Sequence, residues 1–359
     1  MGLQRTNSHQ SDSEPTRAEL AGEKGSDSES FPAGTNTQSG VRQLVQNVST
    51  SIEETDTRGA GREMITCCIG IMAYNEEANM PHLLEALLAQ KTKTVEIDQI
   101  IVVASGCSDK TESIVQDFVT RDSRILLLTQ ASREGKASAV NLLMANTKHE
   151  VVVLQSADTI PTPDTIEALV SSFADPEVGM AGGRPVPTNP RDTFMGYGVH
   201  MLWELHHKIA LAHPKMGELI AFRNIFRQIP YVTAVDEASI EPLIIGQGLK
   251  LIYVPEAVVL NRGPATVQDF IKQRRRIFAG HLYVKETVGY KVSTMNSFRI
   301  VMLLLRNLKF EWQTFLWVPP LILLETYVRF LAVCDYAIWK RKPYTWAVVE
   351  STKNLIENT

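Results

Sequence analysis

From residue 64 onward, short unbroken apolar runs alternate with longer stretches whose apolar positions recur at helical spacing. Residues 65–73, 100–103, 125–128 and 151–154 are built almost wholly of Val, Ile, Leu, Met and small residues. Strands of this kind are covered on both faces, as in a parallel sheet. Between them, residues 79–90, 112–118 and 137–145 carry the helical period. Strand and helix in strict alternation is the rhythm of βαβ units, so a doubly wound, mostly parallel α/β domain is predicted. In such sheets ligands sit beyond the carboxyl ends of the strands.

Two flanking segments break the rhythm. Residues 1–62 are rich in Ser, Thr, Glu, Gln and Gly, repeat Ser-Asp-Ser-Glu at 11–14 and 26–29, and read as a disordered N-terminal tail. They lack the basic start and apolar stretch of a secretory signal, so export is not expected. Residues 298–359 turn toward Trp, Leu and Arg, with eight basic against four acidic residues between 298 and 353. Within them 315–333 is mostly apolar but contains Pro319, Pro320, Glu325 and Arg329, a poor composition for a lipid-exposed span. Glu325 and Arg329, at i and i+4, are placed to neutralise each other. Basic and aromatic residues mixed on helix-length apolar stretches suit an anionic membrane surface. The chain therefore divides into a tail (1–62), an α/β domain (63–297) and a helical, membrane-proximal segment (298–359).

The 359 residues carry 36 Lys+Arg against 40 Asp+Glu, a net charge of −4, which argues against a basic nucleic-acid binder. Four scattered cysteines make neither a disulfide framework nor a zinc cluster, and point to a reducing, cytoplasmic-side location.

Chemistry is expected in the loops after residues 73, 103 and 154, which read Tyr74-Asn75-Glu76-Glu77, Ala104-Ser105-Gly106-Cys107-Ser108-Asp109 and Gln155-Ser156-Ala157-Asp158-Thr159. Asp158, at the end of the most apolar strand, is placed to reach a hard divalent cation holding a diphosphate. Arg133-Glu134-Gly135-Lys136 opens a helix and so forms an anion-attracting start. Asp236-Glu237 precedes another helix-like run, where adjacent acids also simply favour a first turn. Gln273-Arg274-Arg275-Arg276 is a dense cationic group among Phe270, Ile271, Ile277 and Phe278, as at a bound anion or a surface. His206, His207 and His281 have no partner at ligand spacing and read as structural histidines.

Taken in this order, the segments resemble the family-2 glycosyltransferases of GT-A fold, over about residues 65–281. Ile71-Met72-Ala73-Tyr74-Asn75-Glu76-Glu77 is similar to the family's A-Y-N-E-E start, whose loop contacts the nucleotide. Residues 103–111 resemble V-D-D-G-S-T-D-G-T, with Ala104 and Ser105 in place of its acidic pair and Asp109 and Thr111 in their places. Gly135-Lys136-Ala137 with Asn141 resembles G-K-x-x-A-x-N, and Ser156-Ala157-Asp158 resembles the metal-binding D-A-D with its first carboxylate lost. Residues 217–223 resemble the acceptor-side G-x-x-x-A-F-R, and Asp236-Glu237-Ala238 resembles E-D-A at its usual spacing to G-x-K. Gln273 to Ile277 looks like Q-x-x-R-W, with Ile277 in place of the tryptophan, which points to single transfer rather than processive synthesis.

The resemblance implies an inverting transferase that moves a sugar from a nucleotide-sugar donor to a hydroxyl acceptor, lipid-linked or otherwise near a membrane, at the cytoplasmic face. It implies a divalent cation, Mg²⁺ or Mn²⁺, on Asp158. It places Tyr74, Glu76, Ser105, Asp109, Lys136, Gln273 and Arg276 around the donor, and Phe222 and Arg223 on the acceptor side. Glu237 takes the position of the catalytic base, with Asp236 as the alternative because the usual acid order is inverted. The competing reading is a degenerate, non-catalytic nucleotide-sugar-binding protein, motivated by the acids absent at 104, 105 and 156. A nucleotidyltransferase would need a Gly-rich, Arg-containing loop after the first strand, and a nicotinamide dehydrogenase a G-x-G-x-x-G there; Tyr74-Asn75-Glu76-Glu77 is neither.

Overall fold

Ile65–Ala73 forms β1, an interior strand of an eight-stranded sheet, and its adjacent residues Cys67 and Cys68 show why the run is continuously apolar. Their side chains enter separate apolar clusters on opposite faces of the sheet, and both are fully buried. The structure, a computed structural model, describes residues 64–231, 235–290, 292, 297–307, 311–338, 350–353 and 355. The tail predicted over 1–62 lies outside them.

The alternating half follows the sequence reading: β1, α1 (Met80–Leu88), β2 (Val95–Ser105), α2 (Thr111–Arg121), β3 (Ile125–Gln130), α3 (Lys136–Ala145) and β4 (Val151–Ser156). β3, β2, β1 and β4 lie side by side and parallel. β5 (Thr159–Pro161), α4 (Thr165–Val170), β6 (Val178–Pro187), α5 (Phe194–Ala212), β7 (Leu219–Arg223), α6 (Asp236–Gly246) and β8 (Lys250–Asn261) complete the sheet in the order β3-β2-β1-β4-β7-β6-β8-β5. β7 runs antiparallel to both β4 and β6, and β5 antiparallel to β8, so the sheet is mixed in this half.

Three helices follow: α7 (Val267–Val288), α8 (Ser297–Asn307) and α9 (Trp312–Val333). The Thr266 hydroxyl caps α7 by accepting from the Asp269 N–H at 3.1 Å, and Gly289 ends the helix in the left-handed region at φ 73°. α9 continues through Pro319 and Pro320, whose rings lie on its exposed side. No helix among the described residues is long and apolar enough to cross a membrane. α9 packs along α7, with Met195, Phe270 and Val328 buried between α5, α7 and α9. The anticipated i, i+4 pair forms, with Arg329 Nε 2.9 Å from Glu325 Oε1.

Candidate active site

A cavity of about 440 Å³ opens at the carboxyl ends of β1, β2 and β4, where a doubly wound sheet places its ligands. Its floor is made by strand ends, one wall by the starts of α3 and α6, and the other by α5, α7, α8 and α9. It draws residues from both sides of the division at 297/298.

Asp158 lies two residues past the end of β4 and lines the floor. Beside it lies Glu218, which enters from the residue before β7 because Leu219 pairs with Gln155 at the end of β4. The Ser156 hydroxyl donates to Glu218 Oε2 at 3.1 Å, so the acid missing at position 156 has a carboxylate from the neighbouring strand in its vicinity. Burial and then the Asp158 charge raise the Glu218 pKa. The same two causes, opposed by Lys353, push Glu76 up to about 7. Carboxylates crowded in a buried place are unfavourable without a cation.

Gly135 turns the chain at φ 94° into α3, and Lys136, the first residue of that helix, reaches across the cavity to Asp236 with Nζ 2.8 Å from Oδ1. Burial alone would lower the Lys136 pKa, but Asp236 and Glu237 outweigh it and the net shift is upward. Asp236 is buried and Glu237, its neighbour in the first turn of α6, faces the cavity. Burial, then the adjacent Asp236 charge, pushes Glu237 up to about 8.

The three arginines of α7 separate. Arg274 donates twice to Glu325 at 2.8 and 3.1 Å, and Arg275 pairs with the buried Asp335. Both carboxylates come from the C-terminal segment, so the cationic group is two-thirds neutralised from within the chain. Arg276 alone of the three faces Asp158 and Glu218, and its buried Nε has no hydrogen-bond partner among the described residues. Gln273, one turn before Ile277, lines the same wall.

Of the residues anticipated from sequence, Tyr74, Glu76, Ser105, Lys136, Asp158, Asp236, Glu237, Gln273 and Arg276 line this cavity. Ser105 accepts from the Glu134 N–H at 3.4 Å, tying the β2 loop to the start of α3. Gly106 makes that approach possible, since a Cβ there would lie 2.5 Å from the Arg133 nitrogen. Three residues stand elsewhere. Asp109 accepts from the Glu77 N–H at 3.1 Å and from the Thr111 hydroxyl at 2.6 Å, so its carboxylate binds two loops together. Phe222 is fully buried in the core, stacked on Phe226 at 5.2 Å. Arg223 lies at the far end of β7, opposite Val151, where its guanidinium donates to the carbonyls of Val178 and Phe173, each at 2.9 Å. The start of that motif reaches the cavity and its end does not, because β7 runs away from the site.

Charged residues outside the anticipated site set join the lining. Lys215 lies against Glu237, with burial pulling its pKa down to about 8. Arg133 covers the Tyr74 ring with its guanidinium 4.3 Å from the centroid. Lys353 enters the β1 loop from the C-terminal segment. Glu218 was open to detection as the second residue of the G-x-x-x-A-F-R segment; Lys353 stands 277 residues from Glu76 and carries no local signal.

Residues 68–234 match the model of the family described as Glycosyl transferase family 2. This is a family-2 glycosyltransferase domain. The glycosyltransferase domain is similar to an N-acetylglucosaminyltransferase of Rhizobium meliloti (strain 1021), 21% identical over 227 residues, covering 57% of this chain and 53% of that one. It is similar also to a dolichyl-phosphate beta-glucosyltransferase of Trichomonas vaginalis, 30% identical over 104 residues, covering 28% of this chain and 32% of the relative. The chain thus spans about half or less of the length of these two relatives. Among solved structures, a mannosyltransferase from Pyrobaculum calidifontis in complex with GDP-Man and Mn²⁺ shares the fold, with TM-score 0.50 and 21% identity over 86% of this chain and 90% of that one. The domain has the GT-A fold.

Proposed function

We propose that the domain transfers a sugar from a nucleoside-diphosphate-sugar to a hydroxyl acceptor, with inversion at the anomeric carbon. One observation carries this reading: a single cavity brings together the Asp158 and Glu218 carboxylates, the Arg276 guanidinium, and the Asp236–Glu237 pair held by Lys136. The attacking hydroxyl must lose a proton while the leaving diphosphate gains charge, so the site needs a base and an anion-stabilising group side by side.

Glu237 Oε accepts the proton of the acceptor hydroxyl. A carboxylate with a pKa near neutrality is suited to that task, and Lys136, by balancing Asp236, keeps the pair from repelling further negative charge. Arg276 faces the diphosphate and stabilises it as it departs, and Gln273 lies nearby on the same wall. The donor set at Asp158 and Glu218, oxygen-only and crowded with negative charge, fits a hard divalent cation such as Mg²⁺ or Mn²⁺. Bound there, such a cation supplies further positive charge to the leaving group. The Pyrobaculum calidifontis mannosyltransferase, solved with GDP-Man and Mn²⁺ together, supports the same donor chemistry.

The acceptor in this reading is lipid-linked and the domain works at the cytoplasmic face of a membrane. The wall formed by Leu202, Leu205, Ile209, Ile277, Phe278 and Ile300 is apolar, and the name of the Trichomonas relative, a dolichyl-phosphate glucosyltransferase, supports it.

The test is turnover and binding of a panel of nucleotide-sugars by the purified chain, with Mn²⁺ or Mg²⁺ against chelator. Asp158→Ala should abolish cation-dependent turnover. Glu237→Gln should lower kcat by about 10²–10⁴ while donor binding stays within about threefold, as for loss of a general base. Tight, cation-independent binding without turnover of any donor would replace this reading with the non-catalytic one.

A further inference from the structure

We propose that Lys353 is a positioning residue of the donor site: its ammonium holds the Tyr74–Asn75–Glu76 turn in shape and balances Glu76, so that nucleotide binding depends on the C-terminal segment. This rests on the reading of the cavity as a nucleotide-sugar site.

An ammonium group has three N–H donors. Those of Lys353 go to three consecutive residues: the Tyr74 carbonyl at 2.5 Å, the Asn75 carbonyl at 2.7 Å and Glu76 Oε1 at 2.8 Å. The ammonium also stands 5.6 Å from the centroid of the Tyr74 ring. Nothing of its donor capacity is left for a ligand, which separates Lys353 from Arg276. Its partner here is the loop itself.

That loop needs a partner. Asn75 is the one non-glycine residue with positive φ among those described, at 52°. Its side chain is already engaged with Ser108, donating to the hydroxyl at 3.1 Å and accepting from the N–H at 2.8 Å. The turn therefore presents two carbonyls and a buried carboxylate toward one point, and the three donors of an ammonium satisfy all three. Without it, three acceptors face an anionic nucleotide.

The lysine is fixed from both sides. Ser351 Oγ accepts from the Ala265 N–H at 3.3 Å, just before α7, and also bonds the Asp269 side chain. The Leu355 N–H donates to Asn79 Oδ1 at 3.0 Å, and the Leu355 side chain is buried. Ser351, Lys353 and Leu355 thus link the start of α7, which carries Gln273 and Arg276, to the loop after β1. The matched family segment ends at residue 234, so this cation is supplied from more than a hundred residues beyond it.

The experiment compares full-length wild type with Lys353→Met, Lys353→Arg and Glu76→Gln/Lys353→Met. Amide hydrogen exchange is read over residues 73–80 without ligand, and UDP and GDP binding with Mn²⁺ is read by calorimetry. Lys353→Met should exchange faster over 73–80 and bind its nucleotide about tenfold to a hundredfold more weakly, the range for losing a charged hydrogen-bonding partner. The loss should fall on the donor KM, with kcat changed by less. Lys353→Arg should restore part of it, and removing the Glu76 charge in the double variant should restore part as well. A general unfolding effect would lower kcat and KM performance together, with no rescue by Arg. Unchanged exchange over 73–80 in Lys353→Met overturns the positioning role whether or not nucleotide binds; altered exchange with unchanged nucleotide affinity overturns the link to the donor. Failure of the wild type to bind either nucleotide or any nucleotide-sugar overturns instead the functional reading beneath it.

Discussion

His281 is a buried imidazole ringed by cations, and such a group stays neutral. Burial first, then the charges of Lys215, Arg274 and Arg329, push its pKa down to about 3. In the unfolded chain the ring titrates near 6.5. Between those values the unfolded state binds a proton that the folded state refuses, so this contribution to stability is complete above about pH 6.5 and is lost as pH falls toward 3. Urea unfolding at pH 7 and pH 5 should therefore show a smaller acid loss in His281→Gln than in wild type, by about 2 kcal/mol from 1.5 pH units at 1.36 kcal/mol each. Equal losses in the two proteins would move the source to another group. At this scale the sequence was readable where a residue sits in a short motif that lies wholly at the cavity: Asp158 past a strand end, Lys136 and Glu237 at helix starts and Arg276 on α7 all reach it. It was not readable where the same motif spans a whole strand, so that Phe222 falls in the core and Arg223 at the opposite end. Nor could adjacency along the chain show Lys353 meeting Glu76, a contact that only the closed fold creates.

A helix distributes consecutive side chains about 100° apart, and α7 turns that geometry into a division of labour. Three arginines in a row read as one cationic cluster, yet Arg274 turns to Glu325 on α9, Arg275 to Asp335 just beyond it, and Arg276 to the cavity. Glu325 also holds Arg329, so one carboxylate serves two guanidiniums at 2.8 and 2.9 Å. Glu325→Gln should remove the negative charge that Arg274 and Arg329 share and destabilise the α7–α9 contact by about 3–5 kcal/mol, the cost of breaking a buried pair. Arg329→Gln should cost less, because Glu325 keeps Arg274. Denaturant unfolding of the two variants checks the order; a larger loss in Arg329→Gln would refute the shared-carboxylate arrangement. The first four strands were legible because both faces of a parallel sheet are covered and the runs are continuously apolar. β6 was not, since Gly179, Gly182 and Gly183 break its pattern. Those glycines answer to packing instead: a Cβ at Gly183 would lie 2.7 Å from the Ala257 carbonyl oxygen of the neighbouring strand.

Across the whole molecule, α9 has two sides that meet different surroundings. Val318, Leu321, Val328 and Ala332 face inward and are buried, while Glu325 and Arg329 reach the cavity wall. Trp312, Phe315, Leu316, Leu323, Tyr327 and Phe330 face outward, Leu323 being 71% exposed. An exposed apolar face of this extent marks an interaction surface, and Trp and Tyr among aliphatic residues suit the headgroup layer of a bilayer. The helix is not long and apolar enough to cross one. Lying in the interface, it would bring the apolar cavity wall within reach of an acceptor carried on a lipid, which ties the membrane proposal to the catalytic one. Full-length protein should therefore co-sediment with vesicles of anionic phospholipid, and Phe315→Ser, Leu323→Ser and Phe330→Ser combined should weaken that binding strongly. At about 25 cal/mol per Å² of apolar surface, even about 100 Å² lost per side chain removes about 7.5 kcal/mol in all. Donor hydrolysis in solution should be unaffected by the triple change, since none of the three side chains lines the cavity. Wild type that stays in the supernatant with anionic and neutral vesicles alike would remove the membrane from the reading and leave this face to a protein partner.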